Sequence, residues 1–300
     1  MKRIIYGLLA LLAVAALVSC AAGEVFSRPA RRVIGAAPAD LQASSVHFPT
    51  RRGDIVSGWF ARSDARKGAV LLLHGVRGDR GQMIPRARWL KSLGYSVLLI
   101  DLPAHGVSTG DRITFGLREG EGVRAAMAYL RRELPGEPVA VIGVSLGAAS
   151  TVLARLEPAP AAVVLESMYP DITEAVEDRL AIRLGKPGRW LAPLLLVQLP
   201  LRLDVSVHDL RPIDVLPQLH APVFLIAGSE DQHTRLEESL RLFEAAMQPK
   251  QFWVVQGAAH VDLYDFDSYG YRARTLRFLE QYLQLPQQTR EERDPNASPR

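Results

Sequence analysis

The sequence lacks the features on which several common kinds of function depend. It has one cysteine, Cys20, among 300 residues, so no disulfide bond can form within the chain. It has no Gly-rich phosphate loop and no His, Cys and carboxylate spacing typical of a metal site, so we expect neither a cofactor nor a metal. No nucleic-acid motif accompanies the net charge of +4, and the 36 Lys and Arg residues are spread along the chain. This predicts a solvated basic surface and no nucleic-acid partner.

Charge is also missing from residues 4–23, an apolar run that follows Lys2 and Arg3. A basic start, an apolar run and then small residues are typical of a secretory signal. Leu17-Val18-Ser19-Cys20, followed by Ala21, resembles the bacterial lipoprotein signal, in which the cysteine is lipidated and becomes the new N-terminus. An uncleaved membrane anchor is one alternative, because about 20 apolar residues can just span a bilayer, and a buried N-terminal helix is another. With a leader or an anchor we expect an exported, membrane-associated protein whose residues 1–23 lie outside the folded domain.

The rest of the chain predicts one α/β domain at residues 45–285. Two alternating runs between residues 45 and 60 predict an antiparallel hairpin. Apolar strand patterns then alternate with helical ones, and such crossovers build a parallel sheet. Thr234 and Glu237 fit a capping box at the start of one helix. Residues 24–44 are predicted to be a linker, and the polar residues 286–300 to be a disordered tail.

The strand and helix alternation is interrupted between residues 167 and 219. Several prolines break this stretch into short helical patterns that include many apolar residues. An insertion that covers the candidate site would explain its length and its apolar character. One of its helices has an acidic face, which is either a solvated surface or a binding site for a substrate amine; the face consists of Asp171, Glu174, Glu177 and Asp178.

The candidate site centres on a serine between a strand and a helix. Residues 139–142 predict a buried strand, and Gly143-Val144-Ser145-Leu146-Gly147 predicts a sharp turn into a helix. A serine at such a turn is strained, its hydroxyl projects above the sheet edge, and the N–H groups of the following helix face any anion that forms there. The alternative is an ordinary turn in which Ser145 only caps the helix.

An acid and a histidine follow later strands. A serine hydroxyl becomes a good nucleophile only when an imidazole accepts its proton and a carboxylate fixes the imidazole tautomer. Ser145, Asp231 and His260 each follow a predicted strand, so all three are expected at the same edge of a parallel sheet. Glu230 competes with Asp231 for the role of the acid, and His233 competes with His260 for that of the base.

Five segments together resemble the α/β-hydrolase superfamily across residues 45–283, in particular bacterial serine esterases, lysophospholipases and serine aminopeptidase-like proteins. They are Leu73-His74-Gly75-Val76, residues 101–108, residues 143–147, Gly228-Ser229-Glu230-Asp231 and Gly257-Ala258-Ala259-His260. The resemblance implies an α/β fold with a mostly parallel eight-stranded sheet, flanking helices and a helical cap over residues 167–219.

The resemblance also implies roles for individual residues. Ser145 would be the nucleophile, His260 the general base and then acid, and Asp231 the orienting carboxylate. The backbone N–H groups of Val76 and Leu146 would form the oxyanion hole. His74 and His105, in contrast, are interpreted as loop histidines that hydrogen-bond within the strand ends.

The function expected from the resemblance is hydrolysis of carboxylic esters, including lipid or acyl esters, through an acyl-enzyme. A serine peptidase, an aminopeptidase or an acyltransferase is the alternative, because the acyl-enzyme is common to all of them. A non-catalytic binding protein with the hydrolase fold is a third hypothesis. The presence of Ser145, Asp231 and His260 together argues against it, since a binding module has no need of all three.

Overall fold

An eight-stranded sheet forms the centre of the structure, a computed structural model that describes residues 2–284. In chain order its strands are β1 (Ser44–Pro49), β2 (Ile55–Ala61), β3 (Ala69–Leu73), β4 (Ser96–Ile100), β5 (Val139–Val144), β6 (Ala162–Glu166), β7 (Val223–Gly228) and β8 (Lys250–Val255). Their spatial order is β8-β7-β6-β5-β3-β4-β2-β1. Strand β2 is antiparallel to both of its neighbours, and the other adjacent pairs are parallel. The predicted mostly parallel sheet and its N-terminal hairpin are confirmed.

Helices connect and cover these strands. The α-helices are α1 (Lys2–Ser27), α2 (Ile84–Ser92), α3 (Leu117–Glu133), α4 (Leu146–Leu153), α5 (Ile172–Leu184), α6 (Ala192–Leu196), α7 (Gln198–Leu203), α8 (Pro212–Val215), α9 (Leu236–Ala245), α10 (Leu263–Phe266) and α11 (Ser268–Tyr282). Short 3-10 helices span Ala39–Leu41, Arg80–Met83, Lys186–Leu191, His208–Leu210 and Leu216–Gln218. A separate two-stranded pair joins Ala30–Arg31 to His105–Gly106.

The core lies in two layers, one on each face of the sheet. In β3, Leu71 and Leu73 pack with α3 and α4, whereas Val70 and Leu72 pack on the opposite face with α2 and α11. This alternation follows from the two-residue repeat of a strand, and it explains why a strand buried on both faces is apolar at every position. Because the parallel strands run in one direction, their carboxyl ends lie at one common edge, which we call the sheet edge.

The cap is the segment between β6 and β7, residues 167–222. It consists of the short helices α5 to α8 and the 3-10 turns between them. Two ion pairs connect α5 of the cap to α9 of the core, Arg235 with Asp178 (Nε to Oδ2, 3.1 Å) and Arg241 with Glu174. The predicted interruption of the alternating pattern thus corresponds to a run of short helices, whose buried side chains such as Leu199 and Leu203 belong to the same apolar cluster as Leu71.

The N-terminal segment is helical and packs on the cap. Helix α1 continues to Ser27, past the residue 23 boundary of the predicted signal, and contacts α6. Residues 24–44, predicted to be a linker, contain the end of α1, the strand Ala30–Arg31 and the buried side chain of Leu41. Among the residues whose placement the structure describes, no helix is both long and apolar enough to cross a membrane. The predicted disordered tail lies outside the described residues.

Candidate active site

The predicted turn at Ser145 has the expected geometry. Ser145 directly precedes α4 with φ 50° and ψ −106°, a strained conformation for a residue with a side chain. A Cβ atom on Gly143 would lie 2.6 Å from the backbone N of Ala148, and one on Gly147 would lie 2.6 Å from the carbonyl oxygen of Leu73. Glycine is therefore required on both sides of the serine. Ser145 makes no capping hydrogen bond through its side chain, so the interpretation that it only caps the helix is wrong.

Asp231 and His260 meet at the same edge. Asp231 follows β7 and His260 follows β8, and the Nδ1 atom of His260 lies 2.7 Å from Oδ2 of Asp231. The carboxylate is buried, whereas the imidazole is partly exposed. Since Nδ1 donates to the carboxylate, Nε2 is left as the proton acceptor. This is the tautomer that a general base needs.

Three further donors hold the Asp231 carboxylate. The backbone N–H groups of His233 and Thr234 donate to Oδ1 at 2.8 and 2.9 Å, and the Thr234 hydroxyl donates to Oδ2 at 2.8 Å. Burial alone would raise the pKa of Asp231, but the hydrogen bond and charge of His260 together with the Thr234 donors outweigh it and lower that pKa below its usual value. The carboxylate is thus ionised at neutral pH.

The competing residues are placed differently. Glu230 is exposed, and its carboxylate makes no hydrogen bond to any described residue. The ring of His233 lies 5.0 Å from that of His260, centroid to centroid, and does not bind Asp231. The predicted capping box at Thr234 and Glu237 is wrong, because the Thr234 hydroxyl binds Asp231 and the helix instead begins after Arg235, whose N–H donates to Glu238.

The two predicted oxyanion donors lie beside the serine. Val76 and Leu146 line the same cavity as Ser145. Throughout residues 2–284, no protein acceptor is within hydrogen-bonding distance of either N–H group. Gln82 accepts a hydrogen bond from Gly75 N–H at 3.0 Å and so fixes the backbone just before Val76. Two free N–H groups near a serine hydroxyl can stabilise an anion that develops on a substrate oxygen.

The His74 side chain fixes the loop that contains Gly75 and Val76 through two hydrogen bonds. Its Nδ1 lies 2.8 Å from the carbonyl oxygen of Gly75, and its Nε2 accepts from the N–H of Leu102 at 3.0 Å. Burial is the main reason that the pKa of His74 falls to about 3, so the ring is neutral. His105 is likewise buried and donates to the carbonyl oxygen of Pro103. Both histidines bind within the strand ends, as predicted from the sequence.

Ser145 and His260 are not hydrogen-bonded to each other. No hydrogen bond joins Ser145 Oγ to the His260 ring in the described part of the chain. Such bonds are often long in a site without substrate and shorten when substrate binds. The structure therefore brings Ser145, Asp231 and His260 to one edge, and their catalytic roles stay predictions.

A cavity of about 260 Å³ opens beside Ser145. Most of its wall is apolar and comes from α5, α6 and α7 of the cap, with Leu195, Leu196 and Leu199 among the lining side chains. The rest includes Gly23, Phe26 and Ser27 at the end of α1. This last contribution fits the alternative of a buried N-terminal helix, which the sequence could not distinguish from a leader because both are apolar runs.

The acidic face of α5 does not reach the cavity. Asp171 caps α5 and pairs with Arg211 at 3.1 Å, Glu174 pairs with Arg241, and Asp178 pairs with Arg189 and Arg235. No carboxylate is found among the described residues that line the cavity, whereas four arginines are, namely Arg77, Arg179, Arg183 and Arg202. The hypothesis that this face binds a substrate amine is therefore wrong.

The fold and the arrangement of this site define an α/β hydrolase, and comparison with known proteins agrees. The chain belongs to the family described as serine aminopeptidase, S33, which it matches over residues 64–216. It is similar to the uncharacterized protein Rv2307c of Mycobacterium tuberculosis, with 34% identity over 72% of each chain. It is also similar to the polyketide transferase ATR5 of Stachybotrys chlorohalonatus, with 22% identity over 82% of this chain and 99% of that protein.

A solved structure shows the same fold. The Pyrococcus furiosus esterase Pf2001 superposes with a TM-score of 0.72 at 24% identity, over 86% of this chain and 99% of that one. Family and fold together support hydrolase activity in general. The cleaved bond and the substrate are inferred from the residues of the site.

Proposed function

We propose that the protein is a serine hydrolase that cleaves carboxylic esters through an acyl-enzyme on Ser145, Asp231 and His260. The observation that carries this proposal is the 2.7 Å contact between His260 Nδ1 and Asp231 Oδ2 at the edge where Ser145 is held in a strained turn. The free N–H groups of Val76 and Leu146 supply the oxyanion site.

The proposed reaction has two halves. Ser145 Oγ attacks the ester carbonyl while His260 Nε2 takes its proton, and the N–H groups of Val76 and Leu146 bind the oxyanion. The tetrahedral intermediate collapses, the bond to the alcohol breaks, and His260 gives its proton to that alcohol. Water then attacks the acyl-enzyme in the same way, which releases the carboxylic acid and restores Ser145.

Esters are proposed ahead of peptides because of the cavity wall. An aminopeptidase must bind a protonated amine, for which a carboxylate is the usual partner. The described cavity wall presents arginines and apolar side chains instead. The similarity in fold to the Pyrococcus furiosus esterase is in line with this choice.

Labelling with a fluorophosphonate probe tests the proposal. Wild type should be labelled and should hydrolyse p-nitrophenyl esters, and Ser145→Ala should lose both. Ser92→Ala, which removes a hydroxyl bonded to the Trp89 carbonyl on α2, is the matched control and should keep both. Folded wild-type protein that is neither labelled nor active on esters would contradict the proposal.

An acyltransferase is the second candidate, suggested by the similarity to the polyketide transferase ATR5. The acyl-enzyme would then pass its acyl group to an alcohol or amine in place of water. Adding glycerol or an amino alcohol to the ester assay separates the two activities. Hydrolysis is favoured if free acid remains the main product, and transfer if a new ester or amide replaces it.

For localisation, we propose on the sequence alone that Cys20 is lipidated and tethers an exported protein to a membrane. Cys20 is exposed on α1. Growth with a radiolabelled or alkyne-tagged fatty acid should label the wild type and not Cys20→Ser. Equal labelling of both proteins would contradict this proposal.

A further inference from the structure

Arg179 differs from the other arginines of the cavity wall in what it contacts. Arg202 pairs with Glu24 at 2.5 Å, Arg77 donates to the carbonyl oxygen of Val25 at 3.2 Å, and Arg183 lies over the ring of Phe26 at 5.8 Å. These three are held at the end of α1. Arg179 has no such contact, and its only protein acceptor within residues 2–284 is the carbonyl oxygen of Ala175, at 2.8 Å from Nη1.

The carboxylates near Arg179 are engaged by other donors. Asp231 binds His260 and Thr234, Asp178 pairs with Arg189 and Arg235, and Glu238 pairs with Arg235 at 2.6 Å. No carboxylate of the described chain comes within 4 Å of the Arg179 guanidinium. The guanidinium of Arg179 therefore forms no ion pair within the described chain, although it lines the cavity that contains Ser145.

Arg179 is partly buried, and a guanidinium that loses water without gaining a charged partner carries a cost in free energy. Burial accordingly lowers the pKa of Arg179 from its ordinary value, despite the nearby Tyr169 and Asp231. A second polar group has a similar deficit. His233 lines the same cavity, and its buried Nδ1 atom has no hydrogen-bond partner in the described structure. An anionic ligand would satisfy both groups.

We propose that Arg179, assisted by His233, binds an anionic group of the substrate, so that the natural substrate is an ester that also carries a carboxylate or a phosphate. This inference rests on the proposed function, since it names the substrate class of the same site. The leucines of α6 and α7 would enclose the apolar part of such a molecule, while Arg179 on α5 fixes its charged end.

Matched pairs of esters test this inference. Mono-p-nitrophenyl succinate is compared with p-nitrophenyl butyrate for the carboxylate, and monododecanoyl glycerol 3-phosphate with monododecanoyl glycerol for the phosphate. Wild type should favour the anionic member of at least one pair in kcat/KM by about 10- to 100-fold, as expected of a charge-assisted hydrogen bond. The pair with the larger preference identifies the anion.

Substitution of Arg179 should abolish that preference. Arg179→Met should lower kcat/KM for the anionic ester about 10- to 100-fold and change the neutral ester less than about threefold, while Arg179→Lys should recover part of the loss. Arg277→Met removes the same charge from the exposed surface of α11 and should behave like wild type. An equal loss on both members of a pair, or no preference in wild type, would overturn the inference.

A binding measurement separates this inference from the proposed function. Titration of octanoate into Ser145→Ala by calorimetry needs no catalysis, and the same titration into Ser145→Ala with Arg179→Met should give a Kd at least tenfold higher. If wild type cleaves no ester but this difference is found, the anion site stands and the proposed reaction fails. Equal affinity in both proteins would reject the site even where ester hydrolysis is confirmed.

Discussion

The sheet edge and the cap are held by different kinds of interaction. At the sheet edge, backbone atoms approach so closely around Gly143 and Gly147 that a single added methyl group would collide with the main chain. In the cap the helices are short, and Trp190 and Leu201 are 82% and 88% exposed. The cap meets α9 through side-chain ion pairs such as that of Arg235 with Asp178.

This difference separates the type of reaction from the choice of substrate. Geometry that depends on the main chain tolerates almost no substitution, so the positions of the nucleophile and the oxyanion donors are closely fixed. Contacts between side chains can be exchanged without moving the chain, so a cap can change its lining while the edge stays as it is. The two regions should therefore respond differently to mutation and to pH.

The largest effect is expected at the sheet edge from Asp231→Asn. The amide cannot hold the His260 tautomer or stabilise the imidazolium, so kcat should fall by about 10⁴-fold, while the protein remains folded. Steady-state ester hydrolysis measures the loss. Glu230→Gln is the matched control, and a comparable loss in that variant would reassign the acid.

The next effect concerns the pH dependence of the edge through His74. Its folded-state pKa of about 3 lies below the ordinary 6.5, so the unfolded chain binds a proton that the folded one does not between these values. The free energy of unfolding should thus fall as pH falls, by about 2–3 kcal/mol between pH 6.5 and 4.5. Urea unfolding at the two pH values gives this difference. In His74→Gln the decrease should be smaller by about that amount, and an unchanged decrease would contradict the assignment.

A somewhat smaller loss of stability is expected from Gly147→Ala. The new Cβ atom would lie 2.6 Å from the Leu73 carbonyl oxygen and 2.9 Å from that of His74, so the main chain must shift. We expect a cost of about 1–3 kcal/mol in the free energy of unfolding, together with a large fall in kcat. Gly35→Ala is the control, because nothing lies within 4 Å of its added methyl group. Equal stability of the two variants would show that the edge is less tightly packed than described.

The smallest effect is expected at the contact between α9 and the cap. This contact should weaken as pH rises, whereas the stability that depends on His74 should fall as pH falls. Burial and the neighbouring Asp178 raise the pKa of Glu238 to about 8, even though Arg235 pairs with it and Arg189 faces the same cluster. The folded protein then holds a proton that the unfolded chain releases above about 4.5, so the contact between α9 and the cap should weaken as pH rises towards 8. Hydrogen exchange of the α5 amides, corrected for intrinsic rates, should be faster at pH 8.5 than at pH 6. Glu238→Gln should reduce that change, and an unaltered change would implicate another group.

The sequence was most informative where function depends on the local path of the main chain. A fully apolar strand and a Gly-x-Ser-x-Gly turn specify their own geometry, so β3, β5 and the turn at Ser145 could be predicted without tertiary information. The choice of Asp231 over Glu230 needed the resemblance to a family. Strand ends bring both residues to the edge, and only the packed loop shows which carboxylate His260 contacts.

Features that depend on distant partners could not be predicted. Thr234 fits a helix cap by its spacing, but its hydroxyl donates to Asp231 and the helix is capped at Arg235 instead. Arg179 has no carboxylate partner because Asp178, Glu238 and Asp231 bind other residues. Those contacts involve α5, α9 and two loops. A sequence pattern of a few residues does not show contacts between residues that are distant in the chain.

The contacts between α1 and the cap join parts of the chain that are synthesised at different times. Ser19 donates to the carbonyl oxygen of Leu194, a contact between residues 175 positions apart, and Arg202 binds both Glu24 and the Cys20 carbonyl oxygen. A ribosome that adds 5 to 20 residues per second therefore completes the partner surface roughly 10 to 35 s after it has made α1. The sheet can begin to assemble in that interval, but the cavity wall cannot. The contact between α1 and the cap can thus form only after strands β1 to β6, which lie between them in the chain, have been synthesised.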